Sequence, residues 1–353
     1  MPRPGQATEL HERYGLVTKY LDLSPAQARS LRGTQQLWRK MLASPAALAV
    51  MSRAYGILRS VQPDIVHVND DQAILLWGPL AHAFGIPVVW HVRRVTGSCL
   101  DVIRVRLADA AVYTSQATTG RVHHYRNPPK VEAVIYNGFD FSELRPLKRA
   151  ERAKIRAEIG VPDSSPLVGF VASLTEIKRP EDFVAAGLQI LHDVPLAHFA
   201  IVGGDYSRDR YTEELTRRVE AAGAKKRFHF LGYRADASKI LGAFDVFVLT
   251  SEEEGFGRVV VEAMARGVPV VASDVGGVAE IINAPGLNGL LVPPGDVGGF
   301  SQAVVHLLQK PHLRRSMSQE ARRSVQSRFD IALIVRQMQA GVYDRLLEQP
   351  GTR

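Results

Sequence analysis

From about residue 165 the chain alternates between short β-branched runs and amphipathic stretches, the pattern of strand and helix units wound around a parallel sheet. The spacing predicts strands over residues 167–171, 197–202, 227–231, 245–250 and 269–272, each apolar through most of its length. Helical periodicity fills the intervals at 180–192, 211–223, 238–243 and 258–266, with a short helix from Gly277. Gly203-Gly204 and Gly232 follow two of the strands, and Gly267 stands where a helix C-cap belongs. This half therefore reads as a doubly wound domain.

The first half follows the same grammar less completely. Strands are predicted over 63–68, 86–91, 110–115 and 131–136, the last ending at Asn137-Gly138. Before residue 62 the pattern is mainly helical, at 35–43 and 46–60, with residues 15–23 as a weak strand candidate. A domain of this class opens with strand, glycine turn and helix, so its opening reads as absent or replaced. Residues 141–149 read as a linker, followed by a helix over 150–159 that Gly160 ends. A further helix is predicted over 331–347. The expected organisation is an N-terminal domain over 1–145, a C-terminal one over 146–330 and a terminal helix over 331–353 that crosses back to the first.

Length agrees, since 353 residues suit two domains better than one. With 46% hydrophobic and 23% charged residues, disordered and collagen-like chains are excluded. The single cysteine, Cys99, forms no internal disulfide, which points to a reducing, cytoplasmic compartment. No apolar run approaches the roughly 18 residues of a membrane span. An excess of 44 Lys and Arg over 36 Asp and Glu gives a net charge of +8, suited to an anionic partner. The basic residues are scattered without interleaved aromatics, which argues against nucleic acid. Peripheral contact with an anionic membrane stays open.

The chemistry concentrates in Ser251-Glu252-Glu253-Glu254-Gly255-Phe256-Gly257-Arg258, which follows an apolar strand and opens a helix that carries Glu262. In an open α/β sheet, ligands gather at such loops. Gly255 and Gly257 let backbone approach a ligand closely, and free N–H groups at a helix start favour a diphosphate. Glu254 and Glu262 each offer two acceptor oxygens, which suits the hydroxyl pairs of sugars. Glu252 and Glu253 read as helix-dipole partners on a solvated face. Asn69-Asp70-Asp71 reads as a turn, and the chain has no Asp-x-Asp to chelate a metal beneath a diphosphate.

Glu254 and Glu262, within EGFGRVVVEAMARGVPVVASDVGGVAEII, resemble the two-glutamate motif of the retaining nucleotide-sugar glycosyltransferases of family 4. The likeness extends through Ile201-Val202-Gly203-Gly204, Phe230-Leu231-Gly232-Tyr233, Asp245-Val246-Phe247-Val248 and Asn288-Gly289-Leu290-Leu291-Val292-Pro293-Pro294. It reaches back to Pro63 and covers residues 62–345. The resemblance implies an α/β chain of the GT-B type, two facing Rossmann-like doubly wound domains with the N-terminal one truncated. It further implies that Glu254 binds donor-sugar hydroxyls, that backbone amides of Gly255, Phe256 and Gly257 lie against sugar and phosphate, and that Glu262 holds the ribose. Gly232 and Tyr233 would border the base, Lys178 would meet the diphosphate, and His91 would face the sugar, although His91 alone reads equally well as structural.

The sequence departs from the family pattern twice. Ser173 stands where many members have an arginine, leaving Arg179 as the substitute cation, and the glycine-rich opening has no counterpart. The implied activity is transfer of a sugar from a nucleoside diphosphate sugar to a hydroxyl acceptor, with retention and without metal or cofactor. Arg93 and Arg94 suit an anionic acceptor, such as a phosphorylated or lipid-linked glycan. Two rivals are a non-catalytic nucleotide-sugar-binding subunit and a dinucleotide-dependent oxidoreductase. The second needs Gly-x-Gly-x-x-Gly after the first strand of a domain, yet the strand at 167–171 leads into Ala-Ser-Leu-Thr-Glu and Gly255-Phe256-Gly257 lacks the third glycine.

Overall fold

The computed structural model describes residues 45–205 and 210–348. The weak strand candidate at 15–23, the helix predicted at 35–43 and the region where a glycine-rich opening was sought lie outside the described residues. The chain forms two compact units. The first takes residues to Tyr113, Arg121–Ala133 and those from Met338; the second takes Thr114–Gly120 and Val134–Gln337.

In the first unit, helix α1 (Pro45–Val61) precedes β1 (Val66–Val68), α2 (Ala73–Ala83), β2 (Val88–Val92), α3 (Asp101–Leu107) and β3 (Ala110–Tyr113). The strands form one sheet in the order β1-β2-β3-β4, where β4 is Val131–Val134, and the pairs β1/β2 and β2/β3 are parallel. Every residue of β2 and β3 is buried, as expected for parallel strands covered on both faces. The loop after β2 is pinned by buried ions. Asp101 accepts from Arg104 at 2.5 Å and from Arg121 Nε and Nη2, each at 2.8 Å, and Arg121 Nη1 pairs with Asp71. Burial alone would raise the Asp101 carboxyl, but these guanidinium bonds hold it below its ordinary value.

The second unit carries α4 (Arg149–Ile159), β5 (Leu167–Val171), α5 (Pro180–Asp193), β6 (His198–Val202), α6 (Arg210–Ala221), β7 (Phe228–Gly232) and α7 (Ala237–Leu241). There follow β8 (Val246–Leu249), α8 (Arg258–Ala265), β9 (Val270–Ser273), α9 (Gly276–Ile281) and β10 (Leu290–Val292). Helices α10 (Val297–Gln309), α11 (Pro311–Arg328) and α12 (Ile331–Met338) come next, and the five-residue π-helical turn and α13 (Asp344–Leu347) that follow belong to the first unit. The six strands run parallel in the order β10-β9-β8-β5-β6-β7.

Alternation along the strands builds two cores. Leu167, Val202, Phe247, Leu249 and Ala272 face one layer, while Val168, Phe170, Ile201, Val246 and Val248 face the other. Numbered from β5 within this unit, the strand order is 3-2-1-4-5-6. Its direction reverses between β5 and β8, which places a crevice outside their carboxyl ends. At the opposite end, Asp245 locks β8 to β5 by accepting from the Leu167 N–H at 2.9 Å and from Arg152 at 2.9 Å.

Candidate donor-binding site

The loops leaving β5 and β8 meet at the switch point. A single helical turn, Glu176–Lys178, follows β5, and Arg179 then adopts a positive φ of 47° before Pro180 starts α5. Proline at the first helical position needs no N–H donor there. The Thr250 hydroxyl donates to the carbonyls of Lys178 and Arg179 at 3.1 and 2.8 Å, and the Glu252 N–H donates to Ile177 at 2.8 Å. These bonds stitch the two loops together and bring Lys178 to Glu254. Lys178 Nζ donates to Glu254 Oε1 at 2.5 Å, and Ser251 Oγ donates to the same oxygen at 2.9 Å. Both side chains are largely screened, at 21% and 13% exposed.

The glycine loop beyond Glu254 is held by its carbonyls. Glu254 C=O accepts from the Gly277 N–H at 3.1 Å, and Gly255 C=O accepts from the Ser115 hydroxyl at 2.6 Å. Gly276 permits this approach: its φ is +48°, and a Cβ there would lie 2.0 Å from the Glu254 carbonyl oxygen. Gly257 caps α8 with a φ of +99°. Among the described residues, the N–H groups of Gly255, Phe256, Gly257, Arg258 and Val259 have no hydrogen-bond acceptor. Five N–H donors without an acceptor, in the glycine loop and at the first two positions of α8, therefore follow directly in sequence on the Lys178–Glu254 pair. Such a set can hold an anion beside a polyol.

The other expected residues separate into groups. The Phe256 side chain is buried against Tyr136, Phe139 and Phe329, so it anchors the loop and only its backbone is left for a ligand. Glu262 lies about one and a half turns into α8 counting from its Gly257 cap, with Arg258 at 3.9 Å. Burial raises its carboxyl above the ordinary value, against the pull of Arg258 and Arg266. Gly232 and Tyr233 lie at the carboxyl end of β7, with φ +61° at Gly232 and 66% exposure at Tyr233. The Arg179 guanidinium is engaged by Asp182 at 2.6 Å.

His91 belongs to the first unit, at the end of β2. Its Nδ1 lies 3.2 Å from His67 Nε2, and His67 Nδ1 lies 2.7 Å from the Tyr343 hydroxyl. Burial, reinforced by Arg93, lowers His67 to about 4 and His91 to about 3, so both rings are neutral near pH 7. His91 Nε2 is buried with no partner among the described residues. Arg93 donates to Asn69 at 3.1 Å.

Sequence reasoning singled out neither Ser251 and Thr250 as supports of the loop nor Ser115, His67 and Tyr343. The Gly276-Gly277 pair lay within the quoted motif, but only the opening of a short helix was read from it.

Comparison with known proteins adds the family. Residues 7–143 match the model of Glycosyltransferase Family 4, and residues 165–310 that of Glycosyl transferases group 1. The N-acetyl-alpha-D-glucosaminyl L-malate synthase of Bacillus anthracis is 29% identical over 242 residues, covering 69% of this chain and 61% of that protein. The match therefore spans under two thirds of that relative. The 2-deoxystreptamine N-acetyl-D-glucosaminyltransferase of Streptomyces fradiae is 30% identical over 327 residues, 85% of this chain and 75% of the relative. Among solved structures, Anabaena HepE in complex with UDP and glucose has a TM-score of 0.82 at 24% identity, covering 97% of this chain and 90% of that one. Sucrose-phosphate synthase from Thermosynechococcus elongatus has a TM-score of 0.72 at 24% identity, covering 85% and 78%. Two parallel-sheet Rossmann-like domains of the GT-B type, a two-part family match along the chain and an acid-flanked glycine loop at the switch point agree: the chain belongs to the group 1, family 4 glycosyltransferases.

Proposed function

We propose that the chain transfers a sugar from a nucleoside diphosphate sugar to a hydroxyl acceptor, with retention of configuration and without a metal ion. The observation that carries this reading is the pairing of Lys178 with Glu254 beside the free N–H groups of 255–259. On donor binding the pair would separate, the ammonium turning to the diphosphate and the carboxylate to sugar hydroxyls. The anomeric carbon to phosphate-oxygen bond then breaks as the acceptor oxygen bonds to that carbon. The acceptor proton passes to the leaving phosphate. Lys178 and the free amides stabilise charge that grows on the departing oxygen, so they favour the transition state over the bound donor.

Glu262 would hold the ribose, and Gly232 with Tyr233 would border the base. His91, kept neutral, would present Nε2 to the sugar. The acceptor is proposed to be anionic, met by Arg93 and Arg94. Relatives named for N-acetylglucosaminyl transfer and a neighbour holding UDP and glucose make UDP-N-acetylglucosamine and UDP-glucose the first donors to assay. Product stereochemistry by NMR tests retention, and an inverted anomer would refute it. Turnover undiminished in EDTA tests the metal-free course. Donor binding without hydrolysis or transfer to any acceptor in a broad panel would favour the binding-subunit reading instead.

A further inference from the structure

The donor loop owes its shape to a segment far away in sequence. Thr114–Gly120 belongs to the second unit although its flanking residues belong to the first. It is fixed there by Glu280 of α9, whose two carboxylate oxygens accept from the N–H groups of Gln116 and Ala117, each at 2.9 Å. The Tyr136 hydroxyl donates to the same carboxylate at 3.0 Å, and Arg328 holds the Glu280 carbonyl at 2.7 Å. Thus anchored, the fully buried Ser115 donates from Oγ to the Gly255 carbonyl.

A peptide unit is planar and trans, so fixing its carbonyl fixes the direction of its N–H on the opposite edge. The Gly255 carbonyl shares its plane with the Phe256 N–H, and the Glu254 carbonyl with the Gly255 N–H. Gly277 therefore sets one donor and Ser115 the next, although glycine at 255 would otherwise leave these peptides free to rotate. Both donors belong to the set with no acceptor of their own among the described residues.

We infer that Ser115 is a positioning residue for the diphosphate, its hydroxyl holding the Gly255-Phe256 peptide with the N–H turned toward the bound anion. The inference rests on the donor-site reading above. A pre-aimed donor spares the ligand the cost of ordering the loop, so losing the hydroxyl should weaken the diphosphate contact and leave the nucleoside contact alone.

The test compares wild type, Ser115→Ala, Ser115→Thr and Glu280→Gln. UDP binding is measured by calorimetry and uridine binding by saturation-transfer NMR, with GDP/guanosine and ADP/adenosine run in parallel. The expected result is a loss of roughly three- to tenfold in diphosphate affinity for Ser115→Ala, unchanged nucleoside binding, and recovery in Ser115→Thr. Glu280→Gln, which keeps the hydroxyl but loosens the segment, should lose less with the same selectivity. Wild-type UDP affinity in Ser115→Ala would overturn the inference while leaving the donor site standing. Equal losses of UDP and uridine in both Ser115→Ala and Glu280→Gln would also overturn it, since that is the pattern of general destabilisation. A wild type that binds none of the diphosphates would overturn the donor site itself and the inference with it.

Discussion

Replacing Glu254 by glutamine should separate two properties that a simple loss of the site would move together. The Glu254 carboxylate accepts from Lys178 at 2.5 Å, so the ammonium proposed for the diphosphate is engaged. Glutamine keeps the volume and an acceptor for Ser251 but removes the charge. The pair is partly screened from water, so its net strength is about 1 kcal/mol, and freeing Lys178 should tighten UDP about fivefold. The sugar loses a charged acceptor, a contact of about 1.5 to 3 kcal/mol, so transfer should fall roughly ten- to hundredfold. Calorimetry with UDP and with UDP-sugar, followed by initial rates, reads both effects. If Glu254→Gln weakened UDP and UDP-sugar equally, the assignment of the carboxylate to the sugar would be refuted.

Other substitutions follow the same geometry. Lys178→Ala should lower kcat/KM at least about tenfold through the lost charged contact, whereas Glu252→Ala, an exposed side chain, should leave rates within about twofold; initial-rate kinetics compare the two. Gly276→Ala meets a positive φ and a carbonyl oxygen 2.0 Å from the new Cβ, so it should cost about 2 kcal/mol or more, read as a lowered Tm together with weakened UDP binding. His67 and His91, held near 4 and 3, are neutral in the folded state while the unfolded chain takes up protons below pH 6.5. Their contribution is intact above pH 6.5 and falls with acidification, by roughly 2 kcal/mol each at pH 5. Denaturant melts should show His91→Gln flattening that acid limb, and a melt slope unchanged by the substitution would contradict the buried, neutral assignment.

The strands of the second unit were legible because both sheet faces are covered, which makes β5, β6 and β8 nearly continuous apolar runs. Helix α2 was not, since Ala-Ile-Leu-Leu-Trp-Gly-Pro-Leu-Ala-His-Ala has almost no polar face and contains Pro79. Nor was α11, a strongly charged stretch whose buried stripe is only Met317, Ala321 and Val325, or α10, which opens on Gly298-Gly299 behind an Asp296 cap. The helix expected over 331–347 is interrupted by the π-helical turn at Gln339–Tyr343. At the candidate site, Glu254 and Glu262 were singled out by their spacing around a glycine loop and Lys178 by the family resemblance of its surroundings, and the structure pairs Lys178 with Glu254. Ser115 and Tyr343 carry no such signal. The first reaches Gly255 across 140 positions and the second reaches His67 across 276, through contacts that only the tertiary fold creates.

The central claim is that the crevice between the loops of β5 and β8 receives the donor diphosphate, and a crystal structure of the chain with UDP and a donor sugar tests it most directly. The account predicts phosphate oxygens within hydrogen-bond reach of the amides of 255–259, with Lys178 Nζ moved from Glu254 to the diphosphate and Glu254 on the sugar. A ligand bound elsewhere, with the Lys178–Glu254 pair intact, would contradict it.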